Sequence, residues 1–589
     1  MTKGHPLAGD PCARRLTVTQ TGRFVARSGA LSWRSLFPRL PLRRAAATAV
    51  LLLLAAPACN NPVLTQGPKL DPAQNLRVRL DDQPQSLDPG QSQYTFETAV
   101  LRAITEPLLR PKPDLSGVLP AAASGYDVGD GGMLWVFHLR KDAQYWDGQP
   151  VRAQDFVYAW RRLVDPRLAA PSATFFASVI YNGDKVSILD PQRDASKIDA
   201  ALQSLGLTAP DDHTFQVKLN RPDPAFVWIA AMPSGAPIRQ DVVAKDGDKW
   251  SRSPDTLLTN GPFRVSEMVP NDHLTLVPNP HYWGAKPTLK TITFDVVNDG
   301  ATALAQFQSG ALDVVDVQPA QATTVSTSPQ LVKQLVKTPA LTVWWITFKV
   351  TAPRVANPRV RLAIAQAIDR TAFVKAVFQG QAQPAEAFIP NGMQGYAPDL
   401  TQTQKFDVAQ ARATLASSGV SAAQLNGVRF AYDRTSDFSK ATATFVRDQL
   451  KANLGVSVTL DAMDTNTLGS RLSSGNFEIA GPIGWTADYP DPADWFSIFT
   501  TTNANNYSLY QSGRFDSLIA VAGNDLDAGR RGQEYLQAQR QLVGDAPVAF
   551  LAQSVNWYLM QPYVKSVSTS PLNTWPGDLS IGDIYIAQH

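Results

Sequence analysis

The placement of cysteine limits what this chain can fold into. The chain has 589 residues but only two cysteines, Cys12 and Cys59. Because residues 60–589 contain none, no disulfide can form within them. A chain of this length is too long for one ordinary core, so at least two domains are expected, and they must form without disulfide cross-links.

The segment before Cys59 has the pattern of an export leader. Arg43 and Arg44 precede an apolar run over residues 45–58, which ends in small residues. A helix needs about 20 residues to cross a bilayer of ~30 Å, and this run is shorter than that. We therefore predict that residues 1–58 are a signal peptide, with a transmembrane anchor as the alternative.

Cys59 itself points to lipid attachment. Residues 54–59 resemble a bacterial lipobox, with Ala56 where leucine is usual. Acylation would explain an unpaired cysteine in an exported protein, although a chance cysteine is the alternative. We predict a lipidated Cys59, a flexible tether over residues 59–75, and a location in the periplasm or cell envelope. Asn60 in place of the aspartate often linked to inner-membrane retention favours the outer membrane.

Charge excludes one class of partner. Residues 1–58 hold nine Lys or Arg and one Asp, and the remaining chain has 45 basic and 50 acidic residues. A mildly acidic protein has no electrostatic basis for binding nucleic acid. Hydrophobic residues make up 44% and charged residues 18% of the chain, which is typical of a globular protein.

Strand and helix patterns alternate along the chain. Residues 76–80 and 135–139 alternate as strands, and residues 257–295 combine strand patterns with turns. Apolar residues at helical spacing predict helices over 153–164, 358–378 and 442–453. Gly455 ends the last helix and a strand over 456–460 follows. Helix, glycine and strand in this order indicate an α/β fold.

Several segments carry a resemblance to a known family. They are Ser86-Leu87-Asp88-Pro89, Glu106-Pro107-Leu108, the stretch 145–166, Asn260-Gly261-Pro262-Phe263, residues 279–283, 357–361 and 367–370, and residues 484–492. In this order they resemble the oligopeptide- and dipeptide-binding family of bacterial extracellular solute-binding proteins. The matches extend from about residue 76 to 565. Each segment can also be explained locally as a turn or a buried helix face, so we expect these residues to build the fold rather than contact ligand.

The resemblance implies an α/β fold of the type II periplasmic-binding-protein kind: a two-lobed clamp with an extra subdomain in the first lobe. Such a clamp closes on its solute by hinge motion. The implied boundaries are 76–105 and 226–340 for the first lobe, 106–225 for the extra α/β subdomain, 341–554 for the second lobe, and 555–589 for a C-terminal return to the first lobe.

The resemblance also implies how a ligand is bound. A receptor for many peptides can add the peptide as a strand and bond its backbone, while one buried carboxylate pairs with the ammonium terminus. By resemblance that carboxylate is Asp488, for which a turn-capping role is the alternative. The residues implied to pair with the peptide backbone are Gly484, Trp485 and Thr486 from one lobe and Gln93, Tyr94 and Thr95 from the other. Trp485 could equally be a core aromatic residue.

The sequence departs from the family at the other end of the peptide. Positions aligned with basic residues that receive the peptide carboxylate are Phe378 and Pro482. Arg434 and Lys440 could supply a positive group, although a solvated surface position suits both. The departure fits longer peptides, whose carboxyl end leaves the cleft, or a ligand that is not a peptide.

The favoured function is therefore a monomeric, lipid-anchored receptor that delivers oligopeptides to the permease subunits of an ABC transporter. The alternatives are a receptor of the same fold for a metal chelate, an oligosaccharide or an opine-like compound, and a surface lipoprotein with a chaperone, adhesin or sensor role. No catalytic motif and no ligand-spaced His or Cys pair occurs in the sequence. We expect no enzyme activity, no catalytic residue, no metal and no cofactor.

Overall fold

A computed structural model describes residues 69–589. The predicted signal peptide, the lipidated Cys59 and most of the predicted tether lie outside the described residues. The strands are β1 Asn75–Leu80, β2 Leu109–Pro111, β3 Val118–Pro120, β4 Ala123–Gly129, β5 Leu134–Leu139, β6 Leu207–Asp211, β7 Thr214–Lys218, β8 Phe263–Val269, β9 His273–Pro278, β10 Thr291–Val296, β11 Val314–Asp316, β12 Leu335–Phe348, β13 Ala382–Pro384, β14 Val428–Asp433, β15 Val458–Met463, β16 Ile479–Thr486, β17 Val548–Met560, β18 Val564–Lys565 and β19 Tyr585–Ile586. The helices are α1 Thr95–Ile104, α2 Ala153–Val164, α3 Ala173–Ala177, α4 Gly183–Ser187, α5 Ala195–Gln203, α6 Phe226–Ile229, α7 Gln240–Asp246, α8 Gly300–Gln308, α9 Ala322–Thr327, α10 Pro329–Val332, α11 Pro358–Gln366, α12 Arg370–Val377, α13 Val408–Ser417, α14 Ala422–Leu425, α15 Asp437–Leu454, α16 Thr465–Ser474, α17 Pro492–Ser497, α18 Gly513–Ala522 and α19 Ala528–Asp545.

A mixed sheet runs through the whole described chain. Its strand order is β15-β14-β16-β12-β17-β11-β1-β10-β9-β8, and β13 pairs with β17 beside this path. We call the part built on β1 and β8–β11 the first lobe and the part built on β14–β16 the second lobe. The predicted strand 76–80 is β1, which pairs in parallel with β10 and β11.

Two long antiparallel strands connect the lobes. One end of β17 pairs with β11 of the first lobe, and β12 pairs with β16 of the second lobe. The register between β12 and β17 shifts twice, between Pro339 and Val343 and between Trp344 and Trp345. Because the same two strands belong to both lobes, the lobes can rotate about the irregular region between them.

The extra subdomain is a four-stranded antiparallel sheet in the order β4-β5-β7-β6, with α2–α5 beside it. Helix α2 spans the predicted residues 153–164 and buries the predicted face, with Phe156, Trp160 and Leu163 among its buried residues. The indole Nε1 of Trp160 donates to the carbonyl of Gly235 at 2.9 Å, so the helix is fixed to the first lobe.

The segments that resemble the family are joined to one another by hydrogen bonds within the chain. The carboxylate of Asp88 accepts two hydrogen bonds from Arg162, at 3.0 and 2.6 Å. Asn260 exchanges two hydrogen bonds with the backbone of Glu106, whose carboxyl also accepts from Tyr282 at 2.7 Å. Burial raises the pKa of Glu106. These contacts lie within the first lobe and hold its loops together.

One predicted helix is wrong as a single element. Residues 358–378 form two helices, α11 and α12, with a break between Gln366 and Arg370. Asp369 caps α12 by accepting from the amide of Ala372 at 2.9 Å. The guanidinium of Arg370 donates to the carbonyls of Ala365 and Ile368, at 3.1 and 3.0 Å. The chain turns there because side chains satisfy the backbone groups that a continuous helix would use.

No helix within residues 69–589 is both long enough and apolar enough to cross a membrane.

Candidate ligand-binding cleft

A cavity of about 760 Å³ lies between the lobes, beside the paired strands β12 and β17 that connect them. We call it the interlobe cavity. Its walls come from β1, α1 and β11 of the first lobe, from the end of α12 and the start of α15 in the second, and from β12 and β17. The lining residues used below are Arg79, Asp81, Thr95, Phe96, Asp316, Trp344, Phe378, Asp437, Phe438, Trp557 and Trp575.

Three aromatic rings form the wall of the second lobe. Trp344 and Phe438 meet edge to face with ring centroids 4.9 Å apart, and Phe438 meets Phe378 in the same way at 5.1 Å. We call these three residues the aromatic triad. The indole Nε1 of Trp344 donates to Ser554 Oγ at 2.9 Å, which fixes the orientation of the ring.

Gly484 allows Trp344 to take this position. A Cβ atom at residue 484 would lie 2.7 Å from two ring atoms of Trp344, closer than non-bonded atoms approach. Trp344 and Gly484 are register partners in the β12–β16 pair. The predicted residue Gly484 therefore supports the cavity wall through Trp344.

The first lobe contributes a second group of aromatic side chains. Tyr94 stacks on Phe96 with ring centroids 5.1 Å apart and ring planes inclined by 10°. Phe96 lines the cavity, and Tyr94 is exposed beside it. On β17, Trp557 has the ammonium of Lys337 over its ring, 3.9 Å from the centroid. This contact is a cation–π interaction within the chain itself.

The charged groups of the lining are mostly acidic. They are one guanidinium, Arg79, and three carboxylates, Asp81, Asp316 and Asp437. Arg79 is already paired with Asp316 and also donates to the carbonyl of Val297 at 2.7 Å. Burial, together with the nearby charge of Asp316, raises the pKa of Asp81. The lining therefore carries a net negative charge near neutral pH.

Asp488 lies just after β16 and beside a second acid. Asp494 is buried, and its Oδ2 accepts from the Trp485 indole at 3.1 Å and from the Asp488 amide at 3.2 Å. Burial, followed by the charge of Asp488, raises the pKa of Asp494 well above its usual value. Asp488 is exposed at the surface, and partial desolvation of its carboxyl raises the pKa of Asp488 as well.

The structure brings only some of the predicted residues to the interlobe cavity. Thr95 lines it and Gly484 supports its wall, whereas Trp485, Thr486 and Asp488 are outside the lining. Trp485 and Thr486 belong to β16, as the strand prediction requires. In residues 483–486 this strand pairs with β12, whereas its pairing with β14 is confined to Ile479 and Ala480.

Residues 93–95, which the resemblance implies pair with a peptide backbone, do not form a strand in this structure. Thr95 is the first residue of α1, and Tyr94 is its N-cap. The backbone amides of Gln93 and Tyr94 both donate to Glu97 Oε2, at 2.7 and 3.1 Å. Because helix capping already uses these amides, they are not free to bond a peptide backbone.

The sequence analysis did not identify Trp344, Phe438, Trp557 or Trp575 as binding residues. One signal was available for Trp344. It is adjacent to Trp345, and neighbouring residues of a strand point to opposite faces, so a strand here would place the two rings on different sides of the sheet. Trp345 is buried and Trp344 is the ring at the cavity.

The described part of the chain contains no evident metal-binding site. Within residues 69–589 no group of three or more His, Cys, Asp or Glu side chains could hold a metal ion. His138, which the sequence placed in a strand, pairs instead with Asp127 at 2.8 Å on the surface.

Comparisons with known proteins fit this two-lobed architecture. The family described as bacterial extracellular solute-binding proteins, family 5 (middle), matches residues 117–507. The chain belongs to this family. The fold predicted from the sequence, a type II clamp, is thereby confirmed.

Individual relatives of this family 5 chain cover almost its whole length. The periplasmic murein peptide-binding protein MppA of Escherichia coli is 30% identical over 89% of this chain and 95% of its own. The periplasmic oligopeptide-binding protein OppA of Salmonella typhimurium is 30% identical over 92% of this chain and 98% of its own. A third relative is named as a probable deoxycholate-binding periplasmic protein, YgiS of E. coli, at 29% identity over 92% of this chain and 98% of its own.

Among solved structures, the unliganded open form of MppA matches with a TM-score of 0.78 at 29% identity, covering 89% of this chain and 99% of that one. Haemophilus influenzae OppA in complex with the peptide RPPGFSPFR matches with a TM-score of 0.63 at 26% identity, covering 88% and 100%. This family 5 chain therefore superposes more closely on the unliganded open form of MppA than on this OppA peptide complex.

Proposed function

We propose that this chain is an extracytoplasmic receptor that binds oligopeptides between its lobes and delivers them to the permease subunits of an ABC importer. The observation that carries the proposal is the interlobe cavity beside the paired strands β12 and β17. It occurs in a chain that matches relatives named as peptide-binding proteins over nearly its full length. Closure about these two strands would enclose the ligand. The receptor binds and releases its ligand unchanged, without catalysis, and acts as a monomer.

Strand addition is the proposed mode of backbone recognition in the second lobe. Residues 483–486 of β16 pair with β12 alone, which leaves their other edge available to an extended peptide. Such pairing bonds the backbone of any sequence and leaves the side chains to the surrounding pockets. Asp488, two residues beyond the strand, is the proposed partner of the peptide ammonium terminus.

The proposed lobe boundaries follow the strands that cross between the lobes. We assign 76–105, 226–340 and 555–589 to the first lobe with 106–225 as its extra subdomain, and 341–554 to the second lobe. The register shift between Pro339 and Val343 supports the division near 340. The pairing of β11 with the C-terminal end of β17, at Tyr558, Leu559 and Met560, supports the division near 555.

Mass spectrometry of the bound ligand tests the proposed function. The full chain is purified without denaturation, and its mass is compared before and after unfolding. A series of released peptides is the expected result, because backbone recognition accepts many sequences. A single non-peptide mass would overturn the peptide assignment. An empty protein that also fails to bind a mixed peptide library in calorimetry would overturn it as well.

One observation favours a second candidate, a receptor for a non-peptide solute. The positions aligned with carboxylate-binding residues of the family are Phe378, which lines the cavity, and Pro482, and neither can carry charge. Arg434 and Lys440 are outside the cavity lining too. A relative of similar identity is named for binding deoxycholate. The single non-peptide mass described above would establish this candidate.

The raised pKa of Asp488 predicts that peptide binding depends on pH. As the pH falls through the pKa of Asp488, its carboxylate gains a proton and can no longer pair with an ammonium group, so affinity falls. Because partial burial raises this pKa above 3.8, the loss begins at a higher pH than for an ordinary aspartate. Calorimetry of a free and an N-acetylated peptide across the acidic range measures the effect. Parallel curves for the two peptides would contradict the role of Asp488.

We also propose that Cys59 carries the lipid that attaches the receptor to a membrane, with the outer membrane favoured. In cells grown with labelled palmitate, the unchanged chain is expected to take up label and Cys59→Ser to take up none. Cys12→Ser is the matched control and retains the label, because the proposed signal peptide includes Cys12. Label on the Cys59→Ser chain would disprove the assignment.

A further inference from the structure

The aromatic and acidic residues of the interlobe cavity have no role in the proposed strand addition or in the proposed binding of the peptide ammonium terminus. Asp488 lies outside its lining, so the proposed site for the peptide ammonium terminus is elsewhere in the cleft. The cavity combines the aromatic triad of Trp344, Phe378 and Phe438 with unpaired carboxylates. This combination favours one class of chemical group over the others.

The carboxylates exclude an anionic group. Asp316 is paired with Arg79, whereas Asp81 and Asp437 form no ion pair with any residue that the structure describes. Asp437 is the first residue of α15, directly before Phe438, so a carboxylate and an aromatic ring of the triad are neighbours in the chain. A ligand carboxylate here would be repelled by Asp81 and Asp437, and the one guanidinium of the lining, Arg79, is already paired with Asp316. A neutral apolar group would leave two carboxylates partly desolvated when the lobes close.

The aromatic rings suit a cation. The faces of Trp and Phe rings carry negative potential and attract ammonium and guanidinium groups. In this chain Trp557, another lining residue, already has the ammonium of Lys337 over its ring at 3.9 Å.

We propose that the interlobe cavity is a subsite for a lysine or arginine side chain of the bound peptide, with the cationic group against the aromatic triad and Asp437 as its counter-ion. The inference rests on the proposed function and adds to it a preference for basic peptides. The ammonium terminus has the same chemistry as a lysine side chain, so the test separates the two sources by acetylation.

Calorimetry with three N-acetylated peptides tests the subsite on the full chain. They are acetyl-Ala-Ala-X-Ala-Ala with lysine, norleucine or glutamate at X, which keeps length and backbone constant. The lysine peptide is expected to bind about tenfold more tightly than the norleucine peptide, the scale of a desolvated cation–π contact, and the glutamate peptide most weakly. The lysine preference is expected to shrink with added salt.

Two variants locate the preference. Phe438→Leu removes a ring face but keeps apolar volume, and is expected to abolish the preference for lysine over norleucine while norleucine binding persists. Asp437→Asn removes an exposed charge and is expected to lower the preference several-fold. Asp184→Asn, at an exposed position on α4 in the extra subdomain, is the matched control and is expected to change nothing.

The outcomes separate this inference from the proposed function. Equal binding of all three peptides, or a lysine preference that survives both variants, overturns the subsite and leaves the peptide receptor intact. Where acetylation itself weakens binding too far for comparison, the same three sequences are compared with free amino termini, and no preference for lysine over norleucine there overturns the side-chain subsite. No binding of any peptide, with or without acetylation, overturns both proposals.

Discussion

Replacing Asp491 with alanine is expected to lower the free energy of unfolding by about 3–5 kcal/mol, the usual cost of leaving a buried charge without its partner. The carboxylate of Asp491 accepts two hydrogen bonds from Arg531, at 2.9 and 2.5 Å. The exposed fractions of the two side chains are 3% for Asp491 and 9% for Arg531. Asp491 also caps α17 by accepting from the amide of Ala493 at 2.8 Å. Urea denaturation followed by tryptophan fluorescence measures the change.

The neighbouring residue on α19 provides a matched control. Arg530 pairs with Asp525 at 2.7 Å, but its side chain is 68% exposed. Water replaces the lost partner at such a site, so Arg530→Ala is expected to leave the free energy of unfolding close to that of the unchanged chain. If Asp491→Ala and Arg530→Ala had the same small effect, the buried pair would have no special importance for stability.

Replacing Asp488 with alanine is expected to weaken peptide binding by about 2–5 kcal/mol, the usual scale for breaking a charged pair that is desolvated in a complex. The physical reason is the ammonium terminus, which would lose its counter-ion when the lobes close. Asp488 is exposed in this structure and makes no salt bridge with a described residue, so the substitution should leave the fold intact. Isothermal titration calorimetry gives the affinity, and circular dichroism checks the fold.

Acetylation of the peptide separates this role from a general loss of affinity. The unchanged chain should lose affinity when the peptide amino terminus is acetylated, whereas the Asp488→Ala chain should lose nothing more. This double cycle isolates the pair because each change removes the same interaction. Equal losses on acetylation in both chains would show that Asp488 does not bind the terminus, and Asp494 would then be the next acid to test.

Elements that depend on local spacing could be read from the sequence. Helix α2 begins at Ala153 and ends at Val164 as predicted, because its apolar face repeats every three to four residues and Asp165-Pro166 stops it. Helix α15 ends before Gly455, whose φ of 74° is the left-handed conformation that glycine readily adopts. The lobes and the clamp followed from the order of the family segments.

Elements that depend on distant partners could not be read in this way. The break between α11 and α12 depends on Arg370, which also donates to the carbonyls of Ala385 and Phe550 at 3.1 and 2.9 Å. The apolar periodicity of residues 358–378 does not indicate these distant hydrogen-bond partners. Similarly, the amides of Gln93 and Tyr94 looked available in the sequence, but the side chain of Glu97 uses both.

By itself the sequence determined the α/β class, the two-lobed clamp and the family, because periodicity, turn residues and short motifs act over neighbouring positions. The tertiary structure decided the chemistry of the cleft. Trp344, Phe378 and Phe438 meet within 6.4 Å between ring centroids, although they come from three different elements. Their meeting depends on the pairing of β12 with β16 and on the missing side chain at Gly484, and such long-range packing leaves no periodic signal in a single sequence.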